Sequence, residues 1–540
     1  MANEFSLKNI TTIARHLGIA NKDLIPYGKY MAKIEPKPDS YSHKSHLILV
    51  TAMTPTKAGE GKTTTVIALT DGLNLLLKGK AKAVAALRQP SMGPVFGMKG
   101  GATGGGLASI EPAEDININF TGDIHALTAA NALISAVIDN SIFNGNEYDF
   151  DLDRIVFPRA VDMNDRALRR TIVGIDKKHP SGRNETFVIT AASELMAVFC
   201  LARDASDFKQ RVGKIIVGFT KAGKPVTVKD LKITNAVFKI MHSALKPNLV
   251  QTIYGSPAIV HGGPFANIAH GCCSYMAIKT AMDYADYTIT EAGFGSELGG
   301  EKFLDILAPR FNLRPDGAVV VATVRSLKLQ GGSTYDELDK EDVGKALEGL
   351  PNLLRHLNNI RSYGLPIVCC LNVFPTDTPR ELQAVKDAIA KAGFKTVECD
   401  SYQKGKKGGL ALAKAVVELA KEPDTYRPLV KAGDDIKKTI ATISTNIYGA
   451  GKVEYSANAL ADIENIESLG IKDLNVCIAK TPLSLTDDPK VLGAPVGFTI
   501  HIDHVNLSAG AGFVVPVSGK TLLMPGLPKV PAAVTMESEK

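Results

Sequence analysis

At 540 residues the chain is too long for one hydrophobic core, so two or three domains are expected. Its 45% apolar and 22% charged residues are those of a globular protein and exclude a disordered or fibrous one. A net charge of +6 spread along the chain argues against a nucleic-acid partner and suits small anions held in local pockets.

No apolar run reaches the roughly 18 residues of a membrane span. The opening "MANEFSLKNI" lacks the basic and apolar regions of a signal peptide, and a cytoplasmic protein is expected. Four of the seven cysteines form adjacent pairs, Cys272–Cys273 and Cys369–Cys370, and no C-x-x-C occurs. Reduced, buried thiols follow.

In chain order, "ITTIARHLGI" (10–19) reads as a packing helix. "HLILVTAM" (46–53) is a buried strand, "KTTTVIALTDGLNLLLK" (62–78) a helix with apolar residues at helical spacing, and "AKAVAAL" (81–87) a second strand. Strand, loop, helix and strand in that order predict a doubly wound, mostly parallel α/β sheet of P-loop type. Further strands fit "KIIVGF" (214–219) and "GAVVVATV" (317–324). A second βαβ unit is expected over 365–400. The predicted division is a first α/β domain over 1–355, a second α/β domain over 356–508, and a small β-rich cap over 509–540.

The loop "TPTKAGEGKTTT" (54–65) joins the first strand to the first helix. Such a loop cradles phosphate oxygens with its N–H groups, and the helix N-terminus adds a positive end. The candidate nucleotide-binding residues are Thr56, Lys57, Ala58, Gly59, Glu60, Gly61, Lys62, Thr63 and Thr64. Lys62 is placed to reach the β- and γ-phosphates, and the Thr63 hydroxyl to ligate Mg²⁺. The first glycine of G-x-x-x-x-G-K-[ST] is replaced by Thr56.

Arg88 follows the second strand and projects beside this loop, where a guanidinium can bind an anion bidentately. The glycine run 97–106 is expected to be a mobile lid, a second anion-binding backbone or a linker. Other signals are weaker. His501 and His504 lie three apart, so on one strand they face opposite sides. His261 and His270 line a site or fill the core, and Asp377 has the character of a turn residue.

These motifs and many beyond them resemble the formate–tetrahydrofolate ligase family. The match runs through "IPYGKYMAK" (25–33), "AGEGKTTT" (58–65), "GPVFGMKGGATGGG" (93–106), "EDININFTGD" (114–123) and "DMNDRALR" (162–169). It continues through "HGGPFANIAHG" (261–271), "TEAGFGSELGGEKF" (290–303), "VATVRSLKLQGG" (321–332), "NVFPTDT" (372–378) and the segment from Ser508 to Ala533.

The resemblance implies ATP-dependent formylation of N10 of tetrahydrofolate through formyl phosphate. Lys62 and Arg88 are then the catalytic residues that hold the transferring group. The substrates are formate, ATP and a reduced folate, with nucleotide and formate expected in the domain over 1–355 and the domain over 356–508 expected to contribute to the folate site. Mg²⁺ and a monovalent cation, K⁺ or NH₄⁺, are the implied cofactors, and a homotetramer is the implied assembly. The pterin is expected against Gln89, Phe294, Phe374, Pro375 and Tyr402. Tyr402 takes the place of a family tryptophan, which accounts for a chain without tryptophan.

Several positions depart from the family pattern. Gln89 stands for a glutamate, and an amide accepts with one end and donates with the other. Asn119, Val188, Tyr254, Cys273, Pro482 and Leu483 also differ, and Lys57 replaces a common proline. An altered pterin preference, such as dihydrofolate, is the alternative these changes raise. A partition-type ATPase switch is the distant alternative, because "KAGEGKT" (57–63) also fits that loop.

Overall fold

The computed structural model describes residues 6–38, 44–57, 59–99, 101–175 and 181–536. Ala58 of the phosphate-loop candidates and Gly100 of the glycine run lie outside them.

The main sheet contains β1 (Leu24–Tyr27), β2 (Met31–Ile34), β3 (His46–Ala52), β4 (Ala83–Leu87), β5 (Asn248–Thr252), β6 (Pro257–Val260), β7 (Tyr287–Glu291), β8 (Gly317–Ala322), β9 (Ile367–Asn372) and β10 (Lys395–Cys399). Their spatial order is β1-β2-β5-β6-β4-β7-β3-β8-β9-β10. From β6 to β10 every neighbouring pair is parallel. The β1, β2 and β5 end is antiparallel.

Parallel strands are covered on both faces and read as continuous apolar runs, and β3 obeys this. Its Leu47 and Leu49 enter one core, while Ile48, Val50 and Ala52 enter another on the opposite face. Helix α1 (Lys62–Leu77) carries Val66, Ile67, Leu69 and Leu73 into the second core. Helix α2 (Asp123–Phe143) is long and apolar enough to cross a membrane by length and composition. Its Leu127, Ile134 and Ile138 lie in the first core, and Asp123 pairs with buried Lys33 at 2.7 Å. The N-terminal helix Ile10–Leu17 is the expected packing element, with Ile10, Ile13, Ala14 and Leu17 buried.

One expectation is corrected. "KIIVGF" does not extend the main sheet. Ile216–Thr220 hairpins with Pro225–Thr227 and pairs antiparallel with Phe150–Ile155 in a small separate sheet. The βαβ unit over 365–400 does form, as β9, α3 (Pro379–Lys391) and β10. Helix α3 starts on a Thr378–Glu381 capping box with Pro379 in its first turn. The unit nevertheless extends the main sheet, because β9 pairs in parallel with β8. Residues 355/356, where a boundary is expected, lie in the helix Leu350–Ser362, on the connection from β8 to β9 of this sheet. Near the C-terminus, Phe513–Val517 pairs with His504–Ser508 and Asn475–Val476, across the boundary expected at 508/509.

Candidate active site

Ligands of parallel α/β sheets gather at the carboxyl ends of the strands, and the candidate residues follow those ends. Arg88 and Gln89 follow β4, Glu291 ends β7, and the phosphate loop follows β3. Ser326 lies beyond β8, Phe374 beyond β9 and Tyr402 beyond β10. Sheet order thus places β7 between the strand that leads to Arg88 and the strand that leads to the loop.

Gly61 precedes α1 with φ of 75°, and no side chain caps that helix end. A Cβ at Gly61 would stand 2.3 Å from Asn372 Nδ2, which itself donates to the Glu60 carbonyl at 3.2 Å. Only glycine fits, and the first-turn N–H groups of α1 face the loop. Other loop N–H groups are already engaged. Thr56 donates to Glu60 Oε1 at 2.6 Å, and Lys57 donates to the Tyr335 hydroxyl at 3.2 Å. A cleft of about 380 Å³ lined by Lys57, Arg325, Tyr335, Leu338 and Asp339 opens beside the loop.

Lys62 is mostly buried, with its Nζ 4.0 Å from Glu60 Oε2. Burial pulls its pKa down, while the charges of Glu60 and Glu291 oppose that shift. Glu60 is buried and pushed up by desolvation, against the pull of Lys62 and of hydrogen bonds from Thr56 and Ser326. The Ser326 hydroxyl donates to Glu60 Oε1 at 3.1 Å. Glu60 is thus a buried strut that pins the loop to the segment after β8.

The Thr63 hydroxyl donates to Glu291 Oε2 at 2.8 Å, and Arg88 Nε faces Glu291 Oε1 at 3.5 Å. The Glu291 side chain is 4% exposed. The Arg88 guanidinium lies over Gly293, where a Cβ would meet Nη1 at 2.7 Å. Thr63 and Glu291 supply hard oxygen donors beside the loop, a set that fits Mg²⁺ once phosphate oxygens complete it. Among the described residues, no group of three or more His, Cys, Asp or Glu side chains is placed to hold a metal.

Behind this edge His356 accepts or donates at both ring nitrogens, to Thr54 Oγ1 and Ser296 Oγ, each at 2.9 Å. Burial drives its pKa down to about 3, so the ring is neutral at pH 7. Asn352 donates to Thr54 Oγ1 at 2.9 Å, and Thr54 N–H donates back to Asn352 Oδ1 at 3.3 Å. This network fixes the start of the phosphate loop.

The aromatic candidates are less closely gathered. Phe294 is half-buried with φ of 60°, an unusual backbone for an aromatic residue. Arg325 lies over the Phe374 ring at 5.1 Å, and Pro375 is exposed. Tyr402 is 51% exposed, and its ring lies against Gly105 and Gly106. Phe374 and Tyr402 follow neighbouring strands, whereas Phe294 follows a strand three places from that of Phe374.

Gln89 is buried, its N–H donates to the Gly262 carbonyl at 2.7 Å, and its Oε1 has no hydrogen-bond partner among the described residues. Of the other departures, Val188 is a core residue and Asn119 accepts or donates with His125 on the surface, while buried Cys273 lies against Thr290, next to Glu291. The glycine run is built structure in its described part. Gly104–Gly105 pairs antiparallel with Ala108–Glu111, and Leu107 N–H donates to the Tyr402 carbonyl at 3.1 Å.

Three of the four histidine signals are held by neighbouring side chains or backbone, whereas His270 is buried with neither ring nitrogen partnered among the described residues. His261 bonds Ser274 and the Ala244 carbonyl, and burial lowers its pKa to about 4. His501 pairs with Asp487, and His504 faces Asp462. Asp377 accepts from the Phe374 N–H at 2.8 Å and is a turn residue. Glu291 escaped the sequence reading, although the signal was present: "YTITE" ends an apolar strand on a charge, as "AVAALR" does at Arg88.

A large, mostly parallel sheet with cationic and acidic side chains packed at its carboxyl edge defines an α/β enzyme built to handle anions. Comparison with known proteins narrows the class. The profile of formate–tetrahydrofolate ligase matches residues 1–540. Relatives described as formate–tetrahydrofolate ligase include one from Limosilactobacillus fermentum, 50% identical over 99% of this chain and 97% of its own length. Others come from a Psychrobacter species, 47% identical over 100% of this chain and 97% of its own length, and from Pseudothermotoga lettingae, 47% identical over 100% and 98%. The chain belongs to the formate–tetrahydrofolate ligase family.

Proposed function

We propose that the chain joins formate to N10 of tetrahydrofolate, using ATP, through formyl phosphate. A formate oxygen attacks the γ-phosphorus and ADP leaves. N10 then attacks the formyl carbon, phosphate leaves with the former formate oxygen, and the N10 proton passes to phosphate or water. Both steps gather negative charge, so the protein supplies positioning and fixed positive charge.

In this reading the uncapped start of α1 and Lys62 hold the β- and γ-phosphates, in a loop of P-loop type. Arg88 holds formate and then formyl phosphate. Bound Mg²⁺ would neutralise phosphate charge, held from the protein side by Thr63 and Glu291. Phe294, Phe374, Pro375 and Tyr402 offer ring faces to the pterin, and Gln89 offers an amide beside Arg88. All seven cysteines are free and buried, which agrees with a cytoplasmic setting. The homotetramer and the monovalent-cation requirement rest on the family resemblance alone.

One observation carries the reading: Lys62, Thr63, Glu291 and Arg88 converge at one sheet edge in a chain of this family. The test measures ADP and 10-formyltetrahydrofolate together. Both should appear in equal amounts only when ATP, formate and tetrahydrofolate are all present. Steady ATP hydrolysis without formate would sink the proposal.

A further inference from the structure

Glu291 joins two groups that the proposed reaction uses at different moments. Its Oε2 accepts from Thr63, the hydroxyl placed for the metal, and its Oε1 faces Arg88, the cation placed for formate. The carboxylate is buried, so the attraction between it and the guanidinium is weakly screened by water. Close by, the guanidinium lies near the Gly293 backbone. Without nucleotide, then, the charge needed for formate is partly cancelled by the carboxylate beside it.

We propose that Glu291 is a positioning residue that masks Arg88 until a magnesium nucleotide binds, so that nucleotide and formate bind cooperatively. This rests on the ligase reading above. A metal at Thr63 would use a lone pair of that hydroxyl, whose proton can stay on Glu291. The dication would then lie close to the Glu291 carboxylate and compete with Arg88 for its charge. With that charge shared with the metal, the guanidinium would be freer to take an anion. Linkage makes the effect reciprocal: whatever the magnesium nucleotide adds to formate affinity, formate returns to magnesium nucleotide affinity. Lys62 also feels Glu291, so nucleotide affinity must be followed alongside formate.

The experiment uses the full chain and ¹³C-formate, with line broadening as the readout of binding. ADP is supplied either with excess Mg²⁺ or with EDTA. Wild-type protein should bind formate about fivefold or more tightly with magnesium ADP than with metal-free ADP. In Glu291→Gln the two affinities should fall within about twofold of each other, at the wild type's tighter value, because a neutral amide does not mask Arg88. Metal-free ADP affinity of the variant, read by calorimetry, should stay within about threefold of wild type, which separates unmasking from damage to the loop. Equal formate affinities with and without Mg²⁺ in the wild type would overturn the proposal, and that arm needs no variant to fold. A ratio retained in Glu291→Gln would overturn it as well. If formate binds in neither state and no formylated product forms, the ligase reading fails too.

Discussion

The two halves of the candidate site are built differently. The phosphate side is pinned by protein–protein contacts: Glu60 to Thr56 and Ser326, Thr63 and Arg88 to Glu291, and Thr54 to Asn352 and His356. The aromatic side is more dispersed. Its rings follow separate strands, and Tyr402 is half exposed. Charge transfer rewards fixed dipoles, because a preorganised site needs no reorganisation when charge develops. A flat heterocycle needs only apolar faces at the right spacing, which the ligand itself can bring together.

Mutations should separate the two sides sharply. The largest effect is expected for Lys62→Ala. Formylation should fall by roughly a thousandfold or more, as when a fixed charge is removed from a phosphoryl-transfer site. Steady-state product formation checks it. Arg88→Ala should lower kcat/KM for formate by about a hundred- to a thousandfold. Its ADP affinity, measured by calorimetry, should stay close to wild type, and a parallel loss there would erase the distinction between the Lys62 and Arg88 roles.

Gly61→Ala combines a left-handed backbone with a collision against Asn372, and should cost roughly 1–2 kcal/mol or more in stability together with ADP binding. Thermal melts with and without ADP read both. The smallest effect is expected on the aromatic side. Tyr402→Ala should raise the KM for tetrahydrofolate by only a few-fold to about tenfold, the worth of one stacked ring at 0.5–1.5 kcal/mol. The KM for ATP should not move. A larger loss would mean the aromatic side is as preorganised as the phosphate side.

The sequence was informative where a local rule governs the structure. The phosphate loop, α1, β3 and β4 follow from apolar periodicity and glycine spacing, and Arg88 follows from a charge at a strand end. Long-range pairing was not legible. Nothing local says that β9 joins β8, or that Ile216–Thr220 turns into a separate antiparallel sheet, because register depends on partners far along the chain. Glu291 was missed for a related reason: its importance comes from β7 lying between β3 and β4, which is topology. The aromatic candidates came from family resemblance, and the structure adds that Phe374 and Tyr402 follow adjacent strands while Phe294 stands apart.

The measurement that bears most directly on the account follows ¹⁸O from labelled formate. If Lys62 and Arg88 hold formyl phosphate, one formate oxygen should appear in the inorganic phosphate released with each turnover, and Arg88→Ala should lower product and labelled phosphate together. Unlabelled phosphate formed alongside 10-formyltetrahydrofolate would contradict it.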